Sequence, residues 1–343
     1  MNLRHSPALY PLEVFYGTLS RLEAAFFRRL SFLRHRSPVP IISVGNLTMG
    51  GTGKTPVLLE ILDRLTRAGK RPAVITRGYR SPWERSFYFL AGPEPHPPQI
   101  TDEALLVNRH FPKVPVILGK NRAHSVRMAT ILCSPDVFVL DDGFQYRRLE
   151  RSSDLVLWDA AIDPTTEYLL PRGNLREPFS RLADAKLILL TRCETVPPEQ
   201  IPERTHFLSQ ASGGRPVIRL HTTPCDWIDP TGHLLPLSQR PDRAVAFAAI
   251  GSPDSFLHQL RQSGVIPIDQ LWFRDHHAFT DPDLEALGRR ARELSARLVC
   301  TEKDRVKIPP AQLAQLAPFA LRIKMHPVDP DSDSAFNRAI GLP

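Results

Sequence analysis

Three observations in the sequence predict an α/β fold with a mainly parallel sheet flanked by helices. Short apolar runs recur along the chain, segments of helical periodicity separate them, and a glycine-rich turn joins the first run to the first such helix. Runs that are apolar at every position suit strands buried on both faces, as parallel strands are. Their alternation with helical segments is the pattern of βαβ units.

The first element is a helix at the N-terminus. Leu12, Phe15, Tyr16, Leu19, Leu22, Phe26 and Leu30 recur at steps of three and four, which places them on one helical face. Arg21, Arg28, Arg29, Arg34 and Arg36 accompany them. A basic amphipathic helix with large aromatics has the composition of an interfacial membrane anchor. The same face could instead dock on the protein's own core, and the residues leave both readings open. Strands are predicted next at Val39–Val44, Pro72–Thr76, Val116–Leu118, Val137–Leu140, Leu155–Trp158 and Lys186–Leu190, with helices over Pro56–Ala68 and Asn121–Leu132. After about residue 205 the pattern starts afresh. Strands are expected there at Val245–Ile250 and Arg297–Cys300, and helices at Ser255–Ser263 and Asp283–Ser295. The polar, glycine-containing stretch Gln210–Gly214 marks the boundary, so 37–210 reads as the larger domain and 211–343 as a smaller α/β lobe, behind a helical segment 1–36.

Composition narrows the function classes. With 42% hydrophobic and 23% charged residues, the chain is globular and not disordered. A formal net charge of +8 favours an anionic partner: a nucleotide, a nucleic acid or an acidic membrane surface. Zinc-finger spacing, an RNP-type aromatic run and a basic tail are all absent, which argues against nucleic acid. Cys133, Cys193, Cys225 and Cys300 are far apart and form no CxxC pair, so a zinc site or disulfide framework is not expected and a reducing cytosol fits. Proline pairs such as Pro97-Pro98 and Pro197-Pro198 suggest short connections. No stretch approaches the ~20 apolar residues of a spanning helix, and no cleavable signal is expected at the start.

The decisive segment is the strand Ile41–Val44 running into Gly45-Asn46-Leu47-Thr48-Met49-Gly50-Gly51-Thr52-Gly53-Lys54-Thr55. It is a GxxxxGK(S/T) phosphate loop with Thr48 at the first glycine position. Gly50, Gly51 and Gly53 let the backbone amides, including that of Thr52, converge on phosphate oxygens at a helix N-terminus. Lys54 can reach the β- and γ-phosphates, and the Thr55 hydroxyl suits Mg²⁺. Pro56 sits where a first helical turn tolerates a missing N–H. Such a loop needs a carboxylate at the end of a neighbouring strand. Val137–Leu140 supplies one in Asp141, with Asp142 beside it. Binding of a nucleoside triphosphate with Mg²⁺, and transfer or release of its terminal phosphoryl group, follows.

Other charged clusters admit two readings each. Thr101 or Asp102 could simply cap the helix begun by Ala104-Leu105-Leu106. Arg176-Glu177 could be a structural pair or could meet phosphate and metal. In Phe273-Arg274-Asp275-His276-His277 adjacent histidines diverge on most backbones, so a single carboxylate-positioned histidine is expected, in acid–base work or on the surface. Thr301-Glu302-Lys303-Asp304 lacks the Asn of a guanine reader.

Taken together, VGNLTMGGTGKTP, TRGYR, TDEALL, DDGFQYRRL, LREP, FRDHHAF and TEKDRVK, in that order, resemble the tetraacyldisaccharide 4'-kinases of lipid A biosynthesis, from about residue 10 to 325. The resemblance implies a P-loop kinase domain and a smaller lobe, with ATP and Mg²⁺ used to phosphorylate the 4'-hydroxyl of a tetraacyldisaccharide 1-phosphate. It implies a peripheral protein on the anionic cytoplasmic face of the bacterial inner membrane, and gives the segment 1–36 a membrane-facing role. Carried over residue by residue, it makes Lys54 and Thr55 the phosphate and Mg²⁺ contacts and Asp141 the metal-binding acid. Glu103, Asp142, Gln145, Arg176 and Glu177 fall on site motifs. Asp102 falls on the base, paired with His276. Thr101 and Met49 depart from the family's common Gly and Val. Two rivals remain, a P-loop GTPase acting as a metallochaperone or switch and a nucleotide-gated membrane binder without turnover. The first would show a guanine reader and Cys or His clusters; the second would bind ATP and transfer nothing.

Overall fold

A computed structural model describes residues 6–79, 81–92 and 100–343. Arg80 of the TRGYR segment, the Pro97-Pro98 pair and the first five residues of the N-terminal segment lie outside the described residues. The chain divides into two compact units, Met1–His221 with His326–Pro343, and Thr222–Met325.

In the first unit the elements run α1 (Tyr10–Arg29), β1 (Ile41–Asn46), α2 (Lys54–Arg67), β2 (Pro72–Thr76), β3 (Tyr88–Leu90), α3 (Asp102–His110), β4 (Val116–Leu118), α4 (Arg122–Cys133), β5 (Val137–Asp141), β6 (Ser153–Asp159), β7 (Leu187–Thr191), α5 (Gln200–Ala211) and the start of β8 (Val217–Ile228). The sheet order is β8-β7-β6-β1-β5-β2-β4-β3, parallel apart from β3 against β4. Every residue of β1, β2, β6 and β7 is buried. That explains why these four are mostly apolar at every turn of the pleat: helices cover both faces, and no position is spared for solvent. β1 lies between β5 and β6, with Val44 opposite Asp141 and Asn46 opposite Leu157. The order in which strands are added switches from one side of β1 to the other, and in open α/β sheets ligands bind outside the carboxyl ends of strands at such a switch point.

α1 docks in a way the apolar periodicity does not anticipate. Its buried residues are Gly17, Ser20 and Ala24, while Leu12, Phe15, Leu19, Leu22 and Phe26 are each at least half exposed. Small residues let the helix lie close: a Cβ on Gly17 would come within 2.8 Å of Leu169 Cδ1. Polar bonds finish the docked face. Glu13 accepts from Arg172 Nη1 at 3.0 Å, and Tyr16 Oη donates to the Arg176 carbonyl at 2.8 Å. Of the large apolar face, Tyr16 packs against the core, while Leu12, Phe15, Leu19, Leu22 and Phe26 stand out from it.

Within the second unit the elements are β9 (Leu234–Pro236), β10 (Ala244–Ala248), α6 (Pro253–Gln262), β11 (Asp269–Trp272), α7 (Asp281–Glu293), β12 (Arg297–Thr301), α8 (Glu302–Arg305), α9 (Pro310–Leu316) and most of β13 (Phe319–Pro327). β11-β10-β12-β13 are parallel, and β9 pairs antiparallel with the Asp226–Ile228 end of β8. The division at His221 falls after the boundary at 210 that the composition suggested. The last helix, α10 (Pro330–Ala339), belongs to the first unit. Its Asp333 and Asn337 bind the Arg64 guanidinium at 2.7 and 2.8 Å, and Phe336 lies under it. Those partners on α2 are some 270 residues away in sequence, as the 273-residue separation of Arg64 and Asn337 shows.

Candidate active site

The loop between β1 and α2 has the conformation its glycines foreshadow. Gly50 has φ 100° and Gly53, the residue before α2, φ 86°, a region costly for side-chain-bearing residues. Neighbours fix the loop from three directions. Met49 N donates to Asn174 O at 2.8 Å, Leu47 O accepts from Arg176 N at 2.7 Å, and Thr52 O accepts from Thr191 Oγ1 at 2.9 Å. Gly51 is exposed and Thr52 buried, with Thr55 in the first turn of α2.

At the carboxyl end of β1 the buried Asn46 gathers most of the expected site. Its Oδ1 accepts from Lys54 Nζ at 3.1 Å and also from Arg176 Nη2, and its own amide donates to Thr48 O at 2.9 Å. Gln145 Nε2 donates to the Asn46 carbonyl at 2.8 Å. Asp142 completes the cluster: Arg176 grips it with two bonds, 3.0 and 2.9 Å, and Lys54 Nζ lies 3.6 Å away. Burial raises the Asp142 pKa, but the Arg176 hydrogen bonds and the Lys54 charge outweigh it and hold the group well below the usual carboxylate range. Asp141 goes the other way. Burial and the neighbouring Asp142 charge push its pKa up, against Lys54 and the 3.1 Å bond from Thr76 Oγ1. Arg122, almost fully buried, donates to both the Asp141 and Asp142 carbonyls, at 3.3 and 3.0 Å, and so fixes the turn that carries them.

Asn46, Thr76 and Arg122 are the residues the sequence reading missed. Asn46 did carry a signal, as a polar side chain at the end of a mostly apolar strand. Arg122 carried none, since nothing in a helix's first residue reveals where its guanidinium reaches.

The remaining expected residues are placed elsewhere. Thr101, not Asp102, is the N-cap of α3, accepting from Ala104 N at 3.5 Å. Asp102 and Glu103 are the first two residues of that helix, half-buried. Glu177 does not join the Asn46 cluster. It is 2% exposed and accepts from Arg147 Nη2 at 2.6 and 2.7 Å and from Ser20 Oγ at 2.7 Å, with Arg181 Nε 3.5 Å away. A carboxylate this deep needs its cations, and here they also pin α1 to the domain. Glu177→Gln should lower stability by about 1–3 kcal/mol. Arg147 keeps Glu23 and Arg181 keeps Asp184, so complete unfolding is not expected. Urea denaturation checks this, and an unchanged midpoint would contradict it.

In the second unit the two histidines separate as expected. His277 Nε2 meets Asp283 Oδ2 at 2.8 Å and stacks on Phe273, with Asp283 also closing the capping box of α7. His276 is exposed, at φ 58°, with Asp275 Oδ1 3.9 Å from its Nε2. Asp304 of the TEKD segment is fully buried, held by Ala249 N, Thr301 Oγ1 and Lys307 Nζ. It locks β10 to α8 and does not read a base.

The comparisons agree with this geometry. The sequence model of the family described as tetraacyldisaccharide-1-P 4'-kinase matches residues 5–340. The tetraacyldisaccharide 4'-kinase of Pelobacter propionicus is 36% identical over 307 residues, 88% of this chain and 82% of that protein. The enzyme of that name from Syntrophus aciditrophicus is 35% identical over 335 residues, 93% and 90%. The crystal structure of LpxK from Aquifex aeolicus in complex with ATP superposes with a TM-score of 0.74 at 26% identity, covering 97% of this chain and 98% of that one. On the strength of the phosphate loop, the Asn46 cluster and these matches across nearly its whole length, the chain belongs to the tetraacyldisaccharide 4'-kinase family.

Proposed function

We propose that the chain transfers the γ-phosphoryl group of ATP to the 4'-hydroxyl of a tetraacyldisaccharide 1-phosphate, a step of lipid A biosynthesis. The observation that carries the reading is the convergence of Lys54 and Arg176 on Asn46, with Asp142 paired to both cations, directly behind the phosphate loop. Phosphoryl transfer asks mainly for positioning and charge neutralisation. Lys54 supplies a mobile cation for the β/γ-phosphates. Arg176, held by Asp142 and Asn46, supplies a fixed one.

The donor set fits Mg²⁺. Thr55 offers a hydroxyl, and Asp141 is a half-buried carboxylate at a strand end with no cation at ion-pair distance among the described residues. Hard oxygen donors of this kind suit Mg²⁺, which when bound neutralises phosphate charge. Asp102 accepts the proton of the 4'-hydroxyl, and His276 orients or stabilises it. Incubation with ATP, Mg²⁺ and the lipid disaccharide in detergent micelles should yield product carrying one added phosphate by mass spectrometry. Hydrolysis of ATP without that product would count against the reading.

The acceptor is an amphiphile, and α1 presents the face to meet it. No helix among the described residues is long and apolar enough to cross a membrane. The exposed row Leu12, Phe15, Leu19, Leu22 and Phe26, bordered by exposed Arg21, Arg28 and Arg29, suits the anionic cytoplasmic face of the inner membrane. Each basic residue near such a surface contributes about 1 kcal/mol. Arg28→Glu with Arg29→Glu should therefore weaken co-sedimentation with anionic vesicles by at least roughly tenfold at low salt. Indifference to the change would remove the helix from membrane contact.

A further inference from the structure

Four polar side chains on one side of α1 reach into the body of the first unit. Glu13, Tyr16, Ser20 and Glu23 recur at steps of three, four and three, so they share a face. The partners of the first three follow in chain order along one loop. Glu13 accepts from the Leu169 amide at 3.2 Å and from Arg172 Nη1 at 3.0 Å. Tyr16 Oη donates to the Arg176 carbonyl at 2.8 Å, and Ser20 Oγ donates to Glu177 Oε2 at 2.7 Å. Glu23 binds Arg147, which itself grips Glu177. Residues 169–177 are thus fastened to α1 along their length.

The same loop holds the phosphate loop. Asn174 O accepts from Met49 N at 2.8 Å, Arg176 N donates to Leu47 O at 2.7 Å, and Leu175 pairs with Thr48. The Arg176 backbone is therefore bonded twice, through its amide to the phosphate loop and through its carbonyl to Tyr16. From that backbone the guanidinium reaches Asp142 and Asn46. A reacting group is held only as well as the contacts that support it. Burial, with the Glu177 charge beside it, raises the Tyr16 pKa, so the phenol stays protonated and donates through the neutral range.

We propose that Tyr16 is a positioning residue for phosphoryl transfer: through the Arg176 carbonyl it sets where the Arg176 guanidinium stands behind the phosphate loop. This rests on the proposed transfer role of Arg176. α1 is then part of the transfer site as well as its membrane-facing edge, and the two roles occupy different faces of one helix. The Tyr16 ring packs on the core cluster that holds Leu47, Leu169 and Leu175, while Phe15, Leu19 and Leu22 are exposed.

Tyr16→Phe removes the hydroxyl and keeps the ring, so the packing survives. In detergent micelles, kcat for transfer to the tetraacyldisaccharide 1-phosphate should fall roughly 3- to 10-fold, the worth of one hydrogen bond. In an Arg176→Ala background the same change should cost less than about twofold, because the group it positions is gone. Sedimentation with anionic vesicles should not change. Unchanged kcat, an equal loss in both backgrounds, or a loss that tracks weakened sedimentation overturns the proposal. Hydrogen exchange of the ATP-bound protein reads the same contact without an acceptor. Tyr16→Phe should speed exchange of the Leu170, Leu175 and Arg176 amides, which are bonded within the loop or to Leu47, by about 3- to 10-fold. Unchanged exchange there overturns the proposal too. Absence of transfer by the wild-type protein is the separate failure of the proposed function, and the exchange rates still decide whether Tyr16 holds Arg176.

Discussion

Asp102→Ala will lose most of kcat, by ~10²–10⁴, while its melting temperature and ATP affinity stay near wild type. A sugar hydroxyl is a poor nucleophile, and a positioned general base contributes a factor of that size. Position decides between this role and a structural one. A helix cap replaced by Ala costs about 1 kcal/mol of stability and little chemistry, but the cap of α3 is Thr101. Asp102 itself bonds through Oδ1 to the Glu103 amide at 3.1 Å, a local contact whose loss the helix tolerates. His276→Ala should resemble Asp102→Ala, and the double variant should be little worse than the worse single one, since residues acting as a unit are non-additive. Fully multiplicative losses would mean that the two act independently. Near-normal kcat in Asp102→Ala would remove it from the chemistry.

Lys54→Ala should cost ~10²–10³ in kcat, the size of effect seen when one preorganised donor to developing charge is removed. The fold should survive. Lys54 begins α2 with its side chain partly exposed, and its contacts are Asn46 Oδ1 and Asp142. Both keep Arg176 when the ammonium is gone. The residual enzyme should therefore melt normally and still hold its loop, which rests on Met49, Leu47 and Thr52 backbone bonds and not on the lysine. Single-turnover kinetics separate a slowed chemical step from weaker ATP binding. Unchanged kcat in a folded variant would sink the assignment of the phosphate loop.

The first unit was the more legible in sequence because β1, β2, β6 and β7 are buried along their whole length, so their centres are mostly apolar. β8 was not foreseen: its burial alternates irregularly over twelve residues and includes His221, Thr222, Thr223 and Pro224. α10 was placed in the wrong body by any reading along the chain, because what holds it is Arg64. The α1 periodicity correctly marked one apolar face, yet which face docks depended on Gly17, Ser20 and Ala24, small residues that hydrophobic patterning overlooks. At the site, Lys54, Asp142, Gln145 and Arg176 could be named from motifs. That Lys54, Gln145 and Arg176 meet on Asn46, with Asp142 held by Arg176, could not, since only the β1–β5 and β1–β6 pairings bring those segments together. Glu177, next to Arg176 in the chain, points to Arg147, because successive residues in an extended loop face opposite ways.

The most direct test of the whole account is the fate of the γ-phosphate. With ATP radiolabelled at that position and the tetraacyldisaccharide 1-phosphate as acceptor, label should move to the lipid, one per ADP formed. Phosphorus NMR of the product should show it on the 4'-oxygen. Label remaining in ATP, released as inorganic phosphate, or attached at any other hydroxyl would contradict it.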